Sequence, residues 1–402
     1  MTATTTTDQP ARLAAIAEAM ADLAHPTKVA ATEWARAELT ADDLVTADRE
    51  STFAWANWKR LAERGVHGLM VAPELGGGGA DLATTLLTLE GLGAGHADNG
   101  LLFALASQML SSQIAIERFG SPEQQAEWLT PLLRGEVLAG FALTEPEAGS
   151  DAFGIEATAV EQADGSYVLN AHKAYITFGS RCAVCVVFAR TNPEVGRWGI
   201  SAFVVPMDLP GVVRGPNREK MGMRTTPFGD LEFHDVVVPA SAMLGRPGAG
   251  ASIFGSILEI ERAFVLAPAI GAMERWLATG VGYANERHQA GVPIGVHQAV
   301  SHRLVDMKRR HETSRLMLYR AALAQVTGRD VTMYAALAKI VAGDDGIGAA
   351  FDAVKLYGAK GYVTEYEVER DLRDAVGGIV YSGTSDIQRN IVARLLGLPD
   401  RT

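Results

Sequence analysis

The apolar residues of this chain change their spacing twice, and those changes constrain the fold more than any single motif. From Arg12 to about Glu127 they recur three and four residues apart, over 13–23, 52–64, 82–92 and 101–119. That period predicts amphipathic helices. From about Pro131 to Leu244 short β-branched runs replace it, over 167–169, 174–177, 183–189, 200–205 and 231–238, bounded by Gly, Pro, Asn and Asp. Such runs predict an antiparallel, barrel-like β-domain. Beyond Ala251 the helical spacing returns in longer stretches, 251–287, 297–327, 331–357 and 383–396. Long helices with short connections predict a bundle. Pro268 falls inside the first of them and predicts a kink. The expectation is a mainly α protein with a central antiparallel β-domain. A disordered tail over 1–11 leads into a helical domain over 12–130, a β-domain over 131–245 and a four-helix bundle over 246–402.

At 402 residues the chain is too long for one simple core, which agrees with two or three domains. A hydrophobic share of 48% against 21% charged residues marks it as globular. The net charge of -11 argues against general binding to nucleic acid or an anionic membrane. No apolar run is long enough to span a bilayer. The Thr-rich start has no basic segment followed by an apolar one, so it does not read as a signal peptide. Cys182 and Cys185 are the two cysteines. On one strand they would point to opposite faces, and no second pair completes a zinc site. They read as core thiols of a cytoplasmic protein, and no metal is expected.

The chemistry concentrates in Phe141-Ala142-Leu143-Thr144-Glu145-Pro146-Glu147-Ala148-Gly149-Ser150-Asp151. A strand-like start runs into a turn where Gly149 lets the backbone approach a ligand, and Ser150 offers a hydroxyl beside backbone N–H groups. Taken alone, this is either a strand–turn–strand corner or a turn for an anionic group. The order Leu-Thr-Glu-Pro-x-Ala-Gly-Ser-Asp resembles the first signature of the acyl-CoA dehydrogenase family of flavoproteins. Matching segments recur over roughly 12–396. The resemblance implies FAD. Phe141, Leu143, Thr144, Gly149 and Ser150 match positions that contact the flavin. Residues 170–177 match a second contact strand, in which Tyr175 takes the place of the usual Trp and Thr177 follows. Arg287, Gln289, Ile294, His297 and Gln298 match a segment that holds the adenosine half from a second subunit. Lys355 and Ala359 match a neighbouring loop, and Thr384 and Asp386 belong to the second signature.

That second signature, Tyr381-Ser382-Gly383-Thr384-Ser385-Asp386, departs from the family where chemistry happens. Most members carry a catalytic Glu at the position of Ser382. A Ser cannot take a proton from carbon without a base of its own. Glu261, on a mostly apolar helical segment, reads by itself as a partner of Arg262 or as a solvent-facing carboxylate. A minority of the family, including the isovaleryl type, places its Glu at this position. The resemblance therefore implies Glu261 as base, with the Ser382 N–H polarising the thioester oxygen and Tyr381 and Arg262 at the substrate. Ser382, the aromatic at 381 and Glu261-Arg262 together resemble the carrier-protein-linked dehydrogenases of natural-product pathways.

The implied reaction is FAD-dependent α,β-dehydrogenation of an acyl thioester of CoA or of an acyl or peptidyl carrier protein. Hydride goes to flavin N5 and electrons then go to an electron-transfer flavoprotein; a homotetramer is implied. Two alternatives stay open, a flavin-dependent oxidase or monooxygenase and an inactive flavin-binding partner. The basic run Lys308-Arg309-Arg310, with Arg303 and Arg315, is either a solvated helix face or a site for phosphates or an acidic carrier.

Overall fold

The computed structural model describes residues 8–40 and 43–399, so most of the expected tail lies outside the described residues. The first helices are α1 (Gln9–Ala21), α2 (Pro26–Glu38), α3 (Leu44–Glu50), α4 (Trp55–Glu63), α5 (Leu82–Gly95), α6 (Asn99–Gln108), α7 (Ile114–Phe119) and α8 (Pro122–Leu133). Strands β1 (Ala139–Ala142), β2 (Thr158–Glu161), β3 (Tyr167–Thr177), β4 (Val184–Arg190), β5 (Ile200–Pro206), β6 (Val212–Arg214), β7 (Phe228–Val238) and β8 (Met243–Leu244) follow. The chain ends in α9 (Gly250–Phe264), α10 (Ala267–Glu286), the hairpin β9 (His288–Gln289) and β10 (Val292–Pro293), α11 (Gln298–Thr327), α12 (Val331–Tyr357), α13 (Val368–Gly377) and α14 (Ser385–Leu395). The succession of helices, β-domain and helices is the one that the spacing predicts.

Local chemistry explains several boundaries. Ser121 and Gln124 cap α8 reciprocally, with Pro122 in its first turn, where a missing N–H costs nothing. Pro268 does not kink one helix but starts a second: α9 ends at Phe264 and α10 takes the proline in its first turn. The expected helix over 101–119 is α6 and α7 joined by a π-helical turn, Met109–Gln113. Polar side chains at its two ends reach to other elements: Gln108, just before the turn, accepts from the Ala139 N–H, and Gln113, its last residue, donates to the His67 carbonyl.

The β-domain runs β6-β7-β3-β2-β4-β5-β8, mostly antiparallel, with β1 added to β4 in parallel. The short runs over 167–169 and 174–177 are one strand, β3, with register shifts against β7 at 169–171 and 173–176. The cysteines do not share a strand. Cys182 precedes β4, so the strand's alternation does not separate it from Cys185. Both sulfurs face Gly140, where an added Cβ would meet Cys185 Sγ at 2.9 Å and Cys182 Sγ at 3.4 Å. Both are buried free thiols, as read from the sequence.

The first and last helical units interlock. Helices α5 and α10 approach so closely that a Cβ at Gly93 or Gly271 would come within 1.9 Å of a carbonyl oxygen of the other helix. Beside that crossing, Glu90 is fully buried and accepts from Arg315 Nε at 2.6 Å and Tyr319 Oη at 2.9 Å, with Lys28 Nζ at 3.3 Å. Glu90, Glu274 and His311 have metal-like spacing, but Lys28 and Arg315 supply the positive charge there. Among the described residues, no helix is long and apolar enough to cross a membrane.

Candidate active site

The two β-domain stretches meet. The Ala174 N–H donates to the Thr144 carbonyl at 2.9 Å, and buried Lys173 ties them from beneath. Its ammonium donates to Glu145 at 2.7 Å and to the Leu143 carbonyl at 3.1 Å. Glu145 also accepts from the N–H groups of Glu156 and Ala157, so it closes the turn that carries Gly149 and Ser150. Burial brings Lys173 down to about 8. The sequence reading did not single out Lys173, although its spacing from the signature is fixed by this pairing.

The irregularity at 173–176 decides where Tyr175 points. Tyr175 adopts φ 61°, which lets β3 turn its side chain outward as a bulge does. It is 54% exposed between buried Ala174 and Ile176. Asp230 holds it there, accepting from the Tyr175 N–H at 3.1 Å and from Arg218 Nε at 2.9 Å. The Arg218 guanidinium lies 4.9 Å from the Tyr175 ring centre. Phe141 packs against Phe188 with ring centres 5.0 Å apart. Thr144 and Thr177 are half-buried, and Gly149 has open space where a Cβ would stand. An exposed aromatic ring, hydroxyl donors and an uncrowded glycine turn fit a flavin and its diphosphate.

The second centre joins residues 121 positions apart. Glu261 faces inward from α9, whose Ile257, Ile260 and Phe264 are buried. The hydroxyl of Ser382 donates to Glu261 Oε1 at 2.9 Å. Ser382 and Gly383 both lie in the left-handed region, at φ 54° and 83°, and Gln388 Nε2 braces their two carbonyls. The tight turn faces Ser382 towards α9. Burial raises the Glu261 carboxyl, and the Ser382 hydroxyl, Arg262 and Lys339 oppose that rise. Burial and Glu261 together push the Tyr381 phenol up. The Tyr381 ring packs on Phe103 at 4.5 Å. Arg262 is half-buried, and its Nε has no partner among the described residues. Thr384 caps α14 by accepting from the Ile387 N–H, and Asp386 follows it, exposed, in the first turn.

The remaining candidates form a separate surface. Arg287 caps α10, and Gln289, His297 and Gln298 are exposed around the β9–β10 hairpin. Ile294 is buried there with Ala284 and Leu356, and Tyr283 stacks on Tyr357 at 4.2 Å. This packing brings the exposed Lys355 and Ala359 to the same end of the bundle. Lys355 is already paired with Asp352 at 2.5 Å. No hydrogen bond or ion pair joins this surface to the Phe141–Thr177 face among the described residues. The basic run is internally matched: Lys308 pairs with Glu312, Arg309 with Asp306 and Arg310 with Asp352.

Three family models match the chain: acyl-CoA dehydrogenase N-terminal domain over 27–136, middle domain over 140–236 and C-terminal domain over 248–397. An L-prolyl-[peptidyl-carrier protein] dehydrogenase of Pseudomonas fluorescens is 36% identical over 364 residues, covering 90% of this chain and 96% of the relative. Among solved structures, the prolyl acyl carrier protein oxidase AnaB superposes with a TM-score of 0.90 at 36% identity, covering 92% of this chain and 98% of that one. PigA with FAD and proline superposes with a TM-score of 0.88 at 34% identity, covering 92% and 97%.

Proposed function

Because the chain belongs to the acyl-CoA dehydrogenase family, we propose that Glu261 is the base that takes the Cα proton of its thioester substrate. The protein is an FAD-dependent acyl-thioester dehydrogenase. Bound FAD supplies the acceptor, at N5, for the hydride that leaves Cβ. The observation that carries the base assignment is the 2.9 Å bond from the Ser382 hydroxyl to Glu261 Oε1. It puts a buried carboxylate against the residue that stands where most members have their Glu. The Ser382 N–H makes no hydrogen bond among the described residues, which supports its use on the thioester oxygen. Tyr381 and half-buried Arg262, adjacent in the chain to Ser382 and Glu261, serve as substrate contacts.

Tyr175 serves as the flavin wall, with Phe141, Leu143, Thr144, Gly149, Ser150 and Thr177 around it. Arg287, Gln289, Ile294, His297, Gln298, Lys355 and Ala359 serve the adenosine half of FAD bound to a second copy, while Thr384 and Asp386 face the cofactor from α14. The exposure of Arg287, Gln289, His297 and Gln298, and their separation from the flavin face, support a homotetramer in which copies share FAD. We place the protein in the cytoplasm, in a natural-product pathway, acting on a carrier-protein thioester. The support for the substrate and the pathway is the similarity to the prolyl-carrier-protein dehydrogenase and to PigA. Electrons pass to an electron-transfer flavoprotein; the likeness to the oxidase AnaB favours oxygen as the second reading. The test mixes purified protein with prolyl-carrier protein, prolyl-CoA and butyryl-CoA and follows flavin bleaching. Bleaching by none of them refutes the reading, and peroxide release on reoxidation selects the oxidase.

A further inference from the structure

We infer that Lys339 is a positioning residue for the base: it anchors the Ser382 turn through the Gly378 carbonyl and sets a buried positive charge against the turn that meets Glu261. The inference rests on the reading of Glu261 as base. Lys339 lies in the N-terminal third of α12 and is 0% exposed. Its ammonium donates to the Gly378 carbonyl and lies 4.9 Å from the Tyr381 ring centre. Gly378 and Tyr381 flank the segment that leads into Ser382. The docking is close: a Cβ at Gly343, one helical turn along α12, would lie 2.8 Å from the Gly378 oxygen. One lysine therefore holds both the carbonyl and the aromatic ring of the turn whose hydroxyl meets Glu261.

An ammonium stripped of water and given one carbonyl needs a counter-charge. The charged and titratable groups facing Glu261 are Arg262 from its own helix, Lys339 from α12 and Tyr381 from the turn. The nearby acids are otherwise engaged: Glu259 accepts from Thr332, and Asp344 pairs with Arg389 at 2.7 Å. Glu261 is the carboxylate that acts most strongly on Lys339, with Asp344 second, and neither forms an ion pair with it among the described residues. The influence is mutual. Burial brings Lys339 down to about 8 and Glu261 holds it up, while Lys339 holds Glu261 down. When substrate covers Glu261 and expels water, burial of Glu261 deepens and favours its protonated form, which is useless as a base. A fixed cation opposes that change at the step where the free carboxylate is required.

The test compares Lys339→Arg, Lys339→Gln and Lys339→Met in the FAD-loaded full chain. Gln keeps a donor for the Gly378 carbonyl, Met keeps neither donor nor charge, and Arg keeps both. The readout is the protonated-carboxyl infrared band of Glu261, identified by its loss in Glu261→Gln and titrated with pH, so it needs no turnover. The midpoint should rise by ~1 unit or more in Gln and Met, as expected for loss of a close opposite charge, and stay near wild type in Arg. The low-pH limb of flavin reduction by prolyl-carrier protein should move upward in parallel. An unmoved midpoint in a folded neutral variant overturns the inference. So does failure of both neutral variants to fold, which would make Lys339 structural only. Wild-type flavin reduction by Glu261→Gln would instead sink the base assignment, whatever Lys339 does.

Discussion

Glu261→Gln is the sharpest perturbation the site allows. The side chains are nearly isosteric, and the amide oxygen can still accept from the Ser382 hydroxyl, which lies 2.9 Å from Oε1. Two changes in the folded state oppose each other. A buried carboxylate no longer has to be desolvated, while Lys339 and Arg262 lose the negative charge between them. Stability should therefore change by no more than an ordinary substitution, about 1 kcal/mol. Catalysis has no such compensation, because an amide cannot take the Cα proton. A positioned base contributes roughly 10²–10⁴-fold, so flavin reduction should slow by at least that much. In barrier terms this is about 2.7–5.4 kcal/mol. The assay is stopped-flow bleaching of the flavin at saturating prolyl-carrier protein, with FAD content and substrate binding measured on the same preparation. Reduction at the wild-type rate, with FAD retained, would refute the reasoning.

Ser382→Ala removes a donor that holds the Glu261 carboxyl down, so its pKa should rise. Because the base must be ionised, the low-pH limb of the reduction rate should move to higher pH. At high pH the rate should change less than tenfold, since Ala keeps the backbone N–H; a uniform loss at all pH values would contradict this. Tyr175→Ala removes the exposed ring; aromatic pairs add about 0.5–1.5 kcal/mol beyond area, so the FAD Kd should rise roughly tenfold while Tyr175→Phe stays near wild type. Equilibrium dialysis of the apoprotein measures both. Arg315→Met takes from buried Glu90 its closest cation, and breaking such a pair costs about 3–5 kcal/mol; urea unfolding should show a loss near the lower end, because Lys28 and Tyr319 remain.

The sequence alone carried the order of helices, β-domain and helices, because burial imposes its period on every residue of a helix or strand. It also carried the two signatures, and the Ser at 382 and Glu at 261 on which the proposed displacement of the base rests are visible as letters. Short elements escaped it. Helix α3 and strands β1, β2, β6 and β8 are too short to show a period, and β1 and β8 pair with strands far from them in the chain. The separation of Cys182 from Cys185 depended on where β4 begins, which is set by pairing with β5 rather than by the local residues. Only the tertiary structure decided that Tyr175 turns outward, because a register shift between β3 and β7 belongs to neither strand alone. It likewise revealed Lys173 under the Glu145 turn and Lys339 against the turn that carries Ser382. Each is one lysine in a helical or strand pattern, and a lysine in such a pattern reads as solvent-facing. Burial made them informative: a charge removed from water must be compensated, and Lys173 finds Glu145 directly while Lys339 finds the Gly378 carbonyl and the field of Glu261.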